Sequence, residues 1–198
     1  KPMIDRIVEA YRTYQADEYG PEEPRGVSEL HIPDHRLPRW VLPACVAIAH
    51  EELNWSGSLR SIHLRYAVLL AQDRIRANSE ISTEDISLYD WQAVESYPYS
   101  RVFHDDVSLL SQSGNDGQQV LTTYTDTNLA GDTYRFYQPT SDAIPFLEEV
   151  NSITDIDIQP FYDCIVSMLC EYQYDGGFYA IKQDALDSWT DYRFEFNP

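Results

Sequence analysis

The residues in this chain best equipped for chemistry are its five histidines, its three cysteines and two pairs of adjacent carboxylates. His31, Asp34 and His35 are metal-ligating types, but Pro33 between them prevents a regular helix that would bring both rings to one face. His50 and His63 follow as isolated residues. Asp105-Asp106 and Glu148-Glu149 are neighbours in sequence, so on a helix their side chains diverge. Acid–base hydrolysis instead needs two carboxylates facing each other across a substrate. Cys45, Cys164 and Cys170 are odd in number and lack short spacings, giving neither a disulfide framework nor a metal knuckle. All three lie in apolar runs and read as small buried hydrophobes. The chain contains no Gly-x-Ser-x-Gly elbow and no Gly-x-x-x-x-Gly-Lys-Ser/Thr phosphate loop. The expectation is a protein that is not an enzyme, with no cofactor and no metal.

Cations are few and mostly arginine. Among 14 basic residues only Lys1 and Lys182 are lysine, against 33 acids, for a net charge of −19. In bulk this composition resembles the proteins of salt-loving organisms, where a carboxylate-rich surface stays hydrated once salt screens its charges. A competing reading is an acidic DNA mimic. The charge is uneven. Residues 1–101 hold 16 acids and 11 bases, whereas residues 102–198 hold 17 acids and 3 bases. Arg60, Arg65, Arg74 and Arg76 share one helical stretch and, with Arg101, are the candidate nucleic-acid contacts. The plainer reading is a solvated helix face paired with the acids around it.

The elements that must position these groups follow from periodicity. The length of 198 residues supports one domain with an appendage. Residues 4–16 have a helical apolar spacing, and two Pro/Gly-rich stretches then lead to residue 38. Helices are predicted over 39–54 and 59–77, the latter capped by Ser58 with Leu59, Ile62, Tyr66, Leu69 and Leu70 on one face. Ser82 caps a short helix, and Pro98 opens a helix over 99–112. Residues 120–125 and 133–137 are β-branched and aromatic and flank a turn, so they read as a hairpin. A helix over 141–151 has Ile144, Leu147 and Val150 inward. A final unit comprises a helix over 160–172, a short strand, a helix over 183–189 and a terminal strand around 192–196. The fold class is α+β, with a mainly helical, winged-helix-like core over 39–151, a lead-in over 1–38 and a small C-terminal α/β extension over 152–198.

Three segments carry a family resemblance. Tyr89-Asp90-Trp91-Gln92-Ala93-Val94-Glu95-Ser96-Tyr97-Pro98-Tyr99-Ser100-Arg101, with Asp105-Asp106-Val107 and Leu110-x-x-x-Gly114 after it, resembles the aromatic strand, tight turn and helix of the Panacea-type winged-helix domain. The glycine of that turn is absent here. Trp55-Ser56-Gly57-Ser58-Leu59-Arg60 and Tyr134-Arg135-Phe136-Tyr137 look like the family's small-residue turn and returning wing strand. The resemblance implies antitoxin-like protein binding, or a regulatory role in which the wing contacts a partner, without catalysis.

Local charge agrees with a protein partner. A DNA-reading helix needs cations for phosphates and Arg, Asn or Gln for bases, whereas 99–112 carries Asp105 and Asp106 and the wing carries Asp126 and Asp132. Tyrosine and tryptophan are abundant, with 15 and 4 copies, and such side chains favour sites with one buried and one wet end. Tyr97, Tyr99, Tyr172, Tyr174, Phe178 and Trp189 are the candidate partner or homodimer interface, the plainer reading of the C-terminal four being a second small core packed on the first. Three readings stay open: a protein-binding module of a defence or regulatory assembly, a winged-helix transcription regulator, and a DNA-mimic inhibitor. With no apolar run long enough to span a bilayer and no signal-peptide core at the N-terminus, the expectation is a cytoplasmic protein that does not engage a membrane.

Overall fold

The computed structural model describes residues 30, 32–33, 35–55, 57–94, 97–113 and 118–196. The helix predicted over 4–16 and the first Pro/Gly-rich stretch lie outside them. Leu37 is tied to the segment around Ile86. Its N–H donates to the Asp85 carbonyl at 2.7 Å and its own carbonyl accepts from Ser87 at 2.8 Å, forming a parallel bridge to Ile86.

Helix α1, Val41–Glu52, is the central element. Every residue from Val41 to His50 is buried, because this helix is apolar all round and other helices cover it on several sides. A turn leads to a two-residue strand β1, Leu59–Arg60, and then to α2, Ser61–Ala77. The predicted helix thus starts two residues late. Leu59 and Arg60 pair with Tyr137 and Phe136 instead, so the strand replaces Ser58 as the lead-in. Ser82 caps a short 3₁₀ turn, Thr83–Asp85, by accepting from Glu84 N–H.

Strands β2, Gln92–Val94, and β3, Tyr97–Tyr99, form a small antiparallel hairpin. Pro98 therefore sits within a strand opposite Ala93 and not in a helix. Ser100 takes the cap position, accepting from Phe103 N–H at 3.3 Å, and helix α3 runs Arg101–Leu110. The long hairpin of β4, Leu121–Thr127, and β5, Thr133–Pro139, follows. With β1 it makes an antiparallel sheet in the order β1-β5-β4.

Helices α4, Ala143–Thr154, α5, Gln159–Gln173, and α6, Gly177–Phe196, complete the chain. The α+β class holds, but the C-terminal unit is helical throughout. The two strands expected there are replaced by α6. Aromatic residues at 178–179 and 192–196 suggest strand by propensity, yet the buried or half-buried Phe178, Ile181, Ala185 and Trp189 recur at helical intervals. Packing of that stripe on α2 and α5 decides the outcome. One continuous apolar core runs from Leu37 to Trp189, so residues 152–196 close the same core that α1 and α2 open.

Candidate functional site

Helix α2 does not present its four arginines on one surface. Arg74 and Arg76 occupy its last turn. Arg74 donates to Glu171 at 2.8 Å and to the Tyr172 hydroxyl at 3.4 Å, fastening α2 to α5. Arg76 borders a small depression shared with Asp73, Asp90 and Trp189. Arg60 and Arg65, by contrast, lie at the other end and line a cleft of about 840 Å³ between the start of α2, helix α3 and strands β4 and β5. Arg135 of β5, which the sequence reading passed over as a strand residue, joins them there. Arg101 lies one turn before Asp105 on α3, 3.9 Å away, and is exposed.

Aromatic rings set the posture of these cations. The Arg60 guanidinium lies 4.4 Å from the Tyr134 ring centroid and 5.8 Å from that of Phe136. Pairing of β1 with β5 puts them in contact, since Arg60 is the register partner of Phe136. The Arg65 guanidinium lies 5.5 Å from the Tyr66 ring. His104 forms part of the α3 wall and stacks on Tyr99 at 5.2 Å. Burial, and then the charge of Arg65, hold its pKa below the ordinary histidine value, although Asp105 pulls the other way.

Beneath the cleft, α3 is anchored by its inner carboxylate. Asp106 is buried and accepts from Arg39 Nε at 2.9 Å, while Asp105 on the next position is exposed. The two members of the acidic pair therefore act separately. Burial pushes the Asp106 pKa up, and Arg39 and the Tyr89 phenol partly offset that.

The expected aromatic interface divides. Tyr97 and Tyr99 on β3 and Tyr174 at the end of α5 are exposed. Tyr172 and Trp189 are buried within the chain, so they serve the core and not a partner. Tyr172 donates to Asp184 at 2.5 Å, tying α5 to α6. Phe178 is half-buried, stacking on His63 at 4.2 Å and packing on Trp55 at 5.0 Å. These three fall on inward faces of helices, as the plainer reading of the C-terminal aromatics as core expects.

His50 and His63 meet on either side of this Phe178 cluster. Among the described residues no three His, Cys, Asp or Glu side chains come together to hold a metal ion. The cysteines also separate: Cys45 is buried, Cys164 half-buried and Cys170 exposed. Six helical positions turn the side chain through about 240°, so Cys164 and Cys170 cannot share one inward face.

The β4–β5 hairpin ends in a turn held by the Asn128 side chain. Asn128 Oδ1 accepts from the N–H groups of Ala130 and Asp132, both at 2.9 Å, and Asn128 Nδ2 donates to Asp132 at 3.0 Å. Gly131 supplies the left-handed backbone, at φ 87°, that closes the turn. Leu129 at its tip is fully exposed, flanked by Asp126 and Asp132. No helix among the described residues is long and apolar enough to cross a membrane. No family model matches the chain, and neither does any curated protein or solved structure.

Proposed function

We propose that the chain is a non-catalytic protein-binding module on a winged-helix core, of the antitoxin-like or regulatory kind that its sequence resembles. The order α1, β1, α2, α3, β4, β5, interrupted by the small β2–β3 hairpin between α2 and α3, with the short first strand laid against the returning wing strand, supports that core. The wing tip carries the choice of partner. A loop stiffened by Asn128 holds Leu129 in solvent between two aspartates. Aspartates repel phosphates, which dominate nucleic-acid affinity. An exposed apolar anchor framed by polar groups is how protein interfaces are built.

A transcription regulator is the second reading, and it draws on the meeting of Arg60, Arg65 and Arg135 in the cleft. The exposed Asp105 on α3 and the acidic wing oppose it. Affinity capture from the native extract separates the two. The wild-type chain is expected to retain a specific protein at constant stoichiometry, and Leu129→Asp to lose it. Retention of duplex DNA by the purified chain, with no protein captured, would reverse the order of the readings.

A further inference from the structure

We infer that the cleft between α2, α3 and the wing receives an acidic peptide segment of the protein partner, gripped by Arg60, Arg65 and Arg135. The inference rests on the protein-binding reading above and gives that partner a chemistry. Acids outnumber bases by 33 to 14 in this chain, so a basic side chain without a carboxylate beside it is unexpected. Arg39 and Arg74 are ion-paired, Arg101 faces Asp105, and Arg36 donates to the Ile86 carbonyl. Among the described residues, Arg60, Arg65 and Arg135 have no carboxylate within ion-pairing distance, and all three line one cleft.

Two further observations converge there. Arg65 Nε is shielded from solvent and has no acceptor among the described residues. A buried donor left this way is destabilising, and an arriving carboxylate would satisfy it. Helix α2 also begins without a side-chain cap, and its first residues, Ser61 and Ile62, line the same cleft. The free N–H groups and positive dipole end of a 17-residue helix are thereby turned toward the ligand. Stacking of Arg60 on Tyr134 holds its guanidinium in place before binding, which reduces the ordering cost.

The surroundings favour a peptide over a polynucleotide. Duplex DNA presents about one charge per 1.7 Å, so its phosphates could not avoid Asp105, which lines the cleft itself, or the wing aspartates. A peptide can place carboxylates only at the arginines and apolar residues elsewhere. Ile62, 40% exposed, and the rings of Tyr134 and Tyr137 provide the apolar lining. This is acidic-motif recognition by an arginine cluster.

The test pans the full chain against a display library of short random peptides and measures the winners by fluorescence anisotropy. Winners rich in Asp and Glu with interspersed apolar residues are expected. Arg60→Glu and the exposed Arg135→Glu should each weaken them by about tenfold or more, with circular dichroism unchanged. Arg65→Lys, which keeps the charge but loses the Nε–H donor, should weaken binding measurably but less than Arg65→Glu. Winners with no acidic bias, or acidic winners that bind Arg135→Glu as tightly as wild type, overturn the inference. Arg-dependent binding of random-sequence DNA without acidic-peptide binding overturns it in favour of a phosphate ligand. Capture of the native partner by the Arg60→Glu/Arg135→Glu variant at wild-type level overturns the cleft alone and leaves the protein-binding reading standing.

Discussion

The side-chain amide of Gln72 closes on both backbone groups of Tyr89. Nε2 donates to the Tyr89 carbonyl at 3.1 Å, and Oε1 accepts from the Tyr89 N–H at 3.1 Å and from the Trp91 indole at 3.3 Å. A fully buried glutamine on α2 thus does for an extended segment what a neighbouring strand would do. The segment it holds leads directly into β2–β3 and α3, so the position of the α3 wall depends on it. Gln72→Leu keeps the volume and leaves the two buried backbone groups of Tyr89 and the half-buried Trp91 indole without this partner. At about 1–3 kcal/mol for each buried group, a loss of roughly 2 kcal/mol or more is expected. Urea unfolding measures this, and a loss below about 1 kcal/mol would contradict the account.

Gln72 also marks where sequence reasoning stops. Helix α2 and the apolar character of its Leu69-Leu70 face follow from periodicity, but a glutamine beside them reads as the start of a solvated face. Its burial comes from α6 and the Tyr89 segment, which converge from distant parts of the chain. Ile62 and Ile144 err in the other direction. Both match a buried stripe by spacing, yet they are 40% and 52% exposed, because nothing among the described residues packs over that part of either helix. The β4–β5 hairpin was legible because turn chemistry is local, and α3 was legible in its place along the chain but not in its start, since Pro98 lies in β3 and Ser100 caps the helix. The cleft was not, since it joins residue 60 to residue 135 through the pairing of β1 with β5.

The arginines of α2 should separate functionally. Arg60 and Arg74 are 14 positions apart, about 20 Å along the helix axis, so they belong to different surfaces. Arg74 faces Glu171 and the Tyr172 hydroxyl, which itself donates to Asp184. Arg74→Glu sets like charges against each other, but both side chains are about half exposed, so solvent limits the loss to about 1 kcal/mol. Acidic-peptide binding should be unaffected. A variant that keeps its stability and loses peptide would remove the distinction between the two ends of the helix.

The three thiols should react in a fixed order. Burial pushes the Cys45 thiol up to about 12, leaving essentially no thiolate at neutral pH and no access for a reagent. Cys164 is half-buried, and burial raises its pKa as well. Cys170 is exposed on α5. Alkylation of the native chain followed by peptide mass mapping should label Cys170 first, Cys164 more slowly and Cys45 only after unfolding. Early modification of Cys45 would mean that α1 is not the sealed centre of the core.

Acid should weaken the contact between α6 and the α1–α2 corner through His63. Burial lowers its pKa from 6.5 to about 4, with Arg60 and His50 adding to the effect and the Ser58 backbone opposing it. Its ring stacks on Phe178 at 4.2 Å, nearly parallel, so protonation would place a cation inside an aromatic packing contact. The folded state binds the proton less readily than the unfolded chain does. Stability is therefore intact above 6.5, falls as pH drops from 6.5 to about 4, and changes little from this group below that. Because the ring retains some solvent contact, the part of the loss due to His63 should be about 1–2 kcal/mol, less than the full shift would imply. His50, whose pKa burial also lowers, adds a second contribution of the same sign. His63→Phe retains the stack and removes the titration, so its unfolding free energy should fall less steeply over that window. Identical slopes for the variant and wild type would show that the corner does not sense the proton.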